Sequence, residues 1–136
     1  MSTRLLLRSL TAAGVLVSAW VHLKLWNEGF RDLHLVGPAF LVNAVAGLVI
    51  GVLLLAWWKW PPPLLAIGFG LSTLGAFVIS ATVGLAGVHE LWTGTWVTRA
   101  WVSEVVAVLG GVAVILVERP WRRERRSAQV ASRSTG

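Results

Sequence analysis

Cysteine and tyrosine are both absent from this 136-residue chain. Without thiols there is no disulfide, no thiolate metal site and no cysteine nucleophile. Charge is scarce as well. Only 13% of residues are Asp, Glu, Lys or Arg, roughly half of what a soluble domain carries, and too few to cover a water-facing surface. A glycine-rich phosphate loop between a strand and a helix is also missing. Ser103 stands beside Glu104, but neighbouring residues on a helix point away from each other, so the two do not form a nucleophile–base pair. Nucleophilic catalysis therefore has no support, and the length allows a single domain.

What is present is hydrophobicity in long blocks, at 56% of the chain. A bilayer core about 30 Å thick asks for about 20 apolar residues per spanning helix. Four blocks meet that length, and the predicted spans are residues 5–26, 38–58, 64–88 and 98–117. Pro38 suits a first helical turn, where its missing N–H would be unpaired anyway. Trp60 and Pro61–Pro63 read as a stiff turn, because prolines do not continue a helix. Residues 27–37 and 89–97 form the other links. Links this short make neighbouring helices antiparallel. The expected fold is all-α: a four-helix antiparallel transmembrane bundle over residues 1–118, followed by a basic, largely disordered tail over 119–136. The segment from Arg4 to Ala19 could also be a signal peptide cut after Val17-Ser18-Ala19. Against that, the apolar run continues past the cut to Trp20 and Trp26.

The net charge of +6 imitates a nucleic-acid signal. Five of those charges come from the tail, where Arg119, Arg122, Arg123, Arg125, Arg126 and Arg133 face only Glu124. The tail follows a membrane span, so no nucleic-acid partner is expected, and Arg119, Arg122, Arg123, Arg125 and Arg126 are read as an anchor facing anionic lipid. The tail, Arg4, Arg8 and Lys59 lie on one side, against Lys24, Arg31 and Arg99 on the other. Cytoplasmic loops carry the excess of Lys and Arg, so both termini are expected in the cytoplasm of a plasma-membrane protein. Eight of the nine tryptophans mark two interfaces: Trp57, Trp58, Trp60 and Trp121 the inner one, Trp26, Trp92, Trp96 and Trp101 the outer one. Trp20 alone falls well inside a span.

Small residues recur at intervals of four: Gly14 and Ser18, Gly47 and Gly51, Ala107 and Gly111, and Gly68, Ser72, Ala76, Ser80 and Gly84. Membrane helices associate through such residues. The expected use is packing inside the bundle, with Gly47/Gly51 facing a second copy or a larger membrane complex as the alternative.

Depth along each helix is more informative. At 1.5 Å per residue, His22, Asn43, Ser80, Thr82 and Glu104 all fall at a similar level in the outer half, with Lys24 just above. His34, His89 and Glu90 are candidates on the outer face. An ionisable group at this depth should face the bundle interior and find a partner, and Glu104 is expected to meet His22 or Lys24. Such a pair could exchange a proton near neutral pH or simply hold helix register. A metal site needs histidines and an acid to converge, and no ligand spacing points to one; a bis-histidine haem would pair His22 with His89. The cofactor is left unknown. The expected role is a non-catalytic accessory or structural subunit, with a transport, proton or redox-related role for His22, Asn43 and Glu104 as the alternative.

Residues 22–55 (HLKLWNEGFRDLHLVGPAFLVNAVAGLVIGVLLL) resemble small four-span actinobacterial integral membrane proteins of unknown function. The resemblance rests on a His-Leu-x-Leu-Trp helix end, a Gly-aromatic-Arg loop, a Gly-Pro turn and an early Asn. The stretch GLAGVHE (84–90) and Glu104 fit the same pattern, whereas Leu33-His34 stands where Ile-Pro would be expected. The resemblance implies the fold and the candidate positions and carries no activity. The chain does not resemble the small multidrug exporters, whose essential acid lies in the first helix.

Overall fold

The computed structural model describes residues 2–85 and 87–118. Four helices account for most of them: α1 (Thr3–Asn27), α2 (Val36–Ala56), α3 (Pro61–Thr82) and α4 (Thr95–Glu118). All four are long and apolar enough to cross a membrane. The tail arginines lie outside the described residues.

Local chemistry sets the helix ends. Ser2 caps α1 by accepting the Leu5 N–H at 3.3 Å, which satisfies one of the unpaired donors of the first turn. Pro38 occupies the third position of α2. Pro61, Pro62 and Pro63 form the first turn of α3 rather than preceding it. Proline is tolerated there because first-turn N–H groups have no intrahelical acceptor. α3 stops at Thr82, six residues before the expected end. Gly84 and Gly87 beyond it adopt positive φ angles of 83° and 81°, which glycine reaches without steric cost. Leu85 and Val88 then exchange backbone hydrogen bonds of 2.8 and 2.9 Å. Thr95 opens α4 three residues before the expected start.

The contacts establish an antiparallel bundle. Arg8, early in α1, meets Glu118 at the end of α4 and the carbonyls at the end of α2. His22, late in α1, meets Glu104 in the first half of α4 and Phe40 at the start of α2. Gly111 and Gly70 pack α4 against Pro63–Ile67 and α3 against Glu104–Val108. The bundle therefore has an Arg8 end and a His22 end.

Small residues bring three of the helix pairs close together. A Cβ added at Gly47 would stand 2.8 Å from Ala19, and one at Gly51 would stand 2.6 Å from Leu16, so this pair joins α2 to α1 within the protomer. Gly14 sits against Ser103 and Val106 of α4 in the same way. The core at the centre comprises Ala12, Val15, Ile50, Leu54, Ala66, Phe69 and Ala107. The fourth pair is different. α2 and α3 are consecutive in sequence, yet along much of their length they stand apart.

The Arg8 end holds an interaction that hydropathy concealed. Arg8, read as a surface charge, has no exposed surface. Its Nε and Nη2 donate to the two oxygens of Glu118 at 2.6 and 2.8 Å. Nη1 donates to the carbonyls of Leu54 and Trp57, and Nη2 also to that of Lys59. All five guanidinium N–H groups are thereby satisfied. The last carbonyls of a helix lack intrahelical partners, and Arg8 supplies them for α2 while fastening α1, α2 and α4 together.

Candidate functional site

The gap between α2 and α3 is a cleft of about 720 Å³, within the range of about 300–1,000 Å³ found for small-molecule sites. Its α2 wall includes Ala39, Phe40, Asn43, Ala46 and Ile50; its α3 wall includes Leu65, Gly68, Phe69, Ser72, Ala76 and Phe77. His22 and Glu104 form part of its floor, from α1 and α4, and Glu90 lies toward its mouth at the His22 end. The stripe Gly68, Ser72, Ala76 was expected to pack against another helix. It lines this cleft instead. Nothing lies within 4 Å of the place a Gly68 Cβ would take, and all three residues are exposed.

The floor is built from one turn of α1 and one of α4. His22 Nδ1 donates to the Ser18 carbonyl at 2.8 Å. A carbonyl can only accept, so Nδ1 carries a hydrogen and Nε2 is the atom turned toward Glu104. Nε2 lies 3.9 Å from Glu104 Oε1, too far for a direct hydrogen bond. Ser18 Oγ donates to the same oxygen at 3.4 Å. Glu104 is 2% exposed, and its second oxygen, Oε2, has no hydrogen-bond partner. Asn43 Nδ2 is likewise buried without a partner. The imidazole of His22 stands edge-on to Phe40, which stacks on Phe30 of the 28–35 link.

The expected polar layer is thus only partly one site. His22, Asn43, Ser80, Glu104 and Glu90 line the cleft, joined by Ser72 and Thr73. Ser80 Oγ donates to the Val88 carbonyl at 2.9 Å and holds down the segment that follows α3. Lys24 is not a partner of Glu104: it pairs with Glu28 at 2.6 Å and stands over the Trp96 ring, which Arg99 also faces. Thr82 is exposed and donates to Val78 in its own helix. His34 is exposed on the first link, and His89 rests against Gly84; neither lines the cleft. Of the two histidines a haem would need, His22 lines the cleft and His89 does not. Among the described residues no group of three or more His, Asp or Glu side chains gathers as metal ligands would.

Ser18, Thr73 and the aromatic walls Phe40, Phe69 and Phe77 were not expected at this site. Its four-residue spacing from Gly14 marks Ser18 as a packing residue. Its position one turn before His22 on the same helix face was the available signal.

No protein-family model, no curated protein and no solved structure matches this chain.

Proposed function

We propose that this chain is a plasma-membrane binding protein for a small amphiphilic molecule, held between α2 and α3 with its polar end at His22, Asn43 and Glu104. The observation that carries the reading is Glu104 Oε2, buried without a partner in the wall of an apolar cleft. A buried polar atom left unpaired costs about 1–3 kcal/mol, and lipid offers it nothing. A ligand hydroxyl that reaches Glu104 Oε2 would remove that cost, with the imidazole of His22, 3.9 Å from the other carboxylate oxygen, as a further polar contact for the head. His22 Nε2 and Glu104 Oε1 stand within ion-pair range at 3.9 Å, which suits a structural clamp; the unpaired Oε2 and the adjoining cleft favour binding. The distribution of Lys and Arg supports cytoplasmic termini, which puts the polar floor in the outer half of the bilayer.

The test is organic extraction of the purified chain followed by mass spectrometry. One amphiphile should accompany the native protein at near-equal molar amount. It should be lost from Ala76→Phe, which fills the cleft from α3. Equal extracts from the two proteins would leave the structural-subunit reading in its place.

A further inference from the structure

Resting on that reading, we infer the class of molecule: a single-chain lipid with an un-ionised hydroxyl head, taken up sideways from the bilayer. Length argues for a chain. The cleft is lined along α3 from Leu64 to Ser80, about 24 Å at 1.5 Å per residue, most of a bilayer core about 30 Å thick. A compact ligand would use a fraction of that. Width agrees, because Ala39 and Ala46 on one wall face a wall carrying Gly68 and Ala76, and the open space at Gly68 is unclaimed by any helix. The rim residues Val42, Leu64 and Leu65 are exposed on a surface that faces hydrocarbon in the membrane, so a lipid reaches the cleft without passing through water.

Charge and hydrogen bonding select the head. The charged side chains lining the cleft are Glu104 and Glu90, and no Lys or Arg among the described residues joins them. A phosphate or carboxylate would meet two acids and no cation. Asn43 Nδ2 has hydrogens to donate, and Glu104 Oε2 has lone pairs to offer or a proton to share. A hydroxyl both accepts and donates, so it serves either atom. A quaternary ammonium does neither and leaves the Asn43 amide unsatisfied.

The experiment uses the full chain in phosphatidylcholine nanodiscs, with hexadecan-1-ol carrying a diazirine on its chain as photoprobe. Competitors are hexadecan-1-ol, palmitate and hexadecyltrimethylammonium, and cross-linked peptides are read by mass spectrometry. Saturable labelling of α2 and α3 is expected, with hexadecan-1-ol the best competitor by about ten-fold or more. Glu104→Leu and Asn43→Leu should each weaken labelling by roughly ten-fold, the scale of one lost buried hydrogen bond. Gly68→Phe should abolish it, and the open space at Gly68 keeps that variant folded, as a thermal melt would verify. Stronger competition by palmitate or by the cation overturns the hydroxyl head, as does labelling indifferent to Glu104→Leu and Asn43→Leu. Labelling that dilutes with bulk phosphatidylcholine means ordinary acyl chains fill the groove, and also overturns it. If no probe labels the chain, the long-chain class fails while the extraction experiment still judges the binding reading. Labelling untouched by Gly68→Phe removes the cleft itself, and both readings fall.

Discussion

Arg8 and Glu104 are both buried, ionisable and set in the same bundle, but one is complete and the other is not. Arg8 has every N–H satisfied by Glu118 and three carbonyls. Glu104 has one oxygen on Ser18, and its other, Oε2, makes no hydrogen bond although the Thr73 side chain lies near the carboxyl. The contrast extends to the helices around them. At Arg8 three helices are stapled together, and the α1–α2 and α1–α4 seams close over glycine. At Glu104 two helices stand apart and small residues line empty space. Burial alone therefore does not distinguish the two; the unmet hydrogen bond and the cavity beside it do.

The largest effect expected from this contrast is at Arg8. Arg8→Met should cost about 3–5 kcal/mol, because it leaves Glu118 without its partner; unfolding in mixed SDS micelles measures it. A loss below about 1 kcal/mol would mean the staple is no stronger than a surface pair. Next is the closed seam. Gly47→Leu should destabilise by about 1–3 kcal/mol through overpacking against Ala19 and Phe69, read in the same titration. On the open side the sign reverses. Glu104→Leu should leave stability unchanged or raise it by about 1 kcal/mol, since an unmet polar atom disappears, while amphiphile in the extract falls. If it destabilised as much as Arg8→Met, Glu104 would be a second staple. The smallest effect is Gly68→Ala, a gain of about 0.5–1 kcal/mol from helix propensity alone; a clear loss would show that α3 packs closely there.

The spans were legible because lipid imposes an apolar run of fixed length, and nothing else in 136 residues imitates it. The end of α3 was not, since Leu85 and Val88 are as apolar in a turn as in a helix, and hydropathy is blind to φ. Depth counting put His22, Asn43 and Glu104 at one level, because rise per residue is a constant, and all three line the cleft. It gave no direction around the helix axis, which is why Lys24 and Thr82 were grouped with residues they do not face. Small residues marked where side-chain volume is missing without saying what uses the room. At Gly47 it is another helix, and at Gly68 it is the cleft. Arg8 was missed because its partner is 110 positions away, and a charge near a helix end ordinarily reaches water.

That separation has a consequence for biosynthesis. Chains are made from the N-terminus, so α1 is complete long before residue 118 exists. Until then Arg8 has the carbonyls of Leu54, Trp57 and Lys59 within reach of the folded chain but no carboxylate. Only when α4 arrives can that charge be neutralised. The ion pair that locks α1 to α4 is therefore among the last contacts the chain can make.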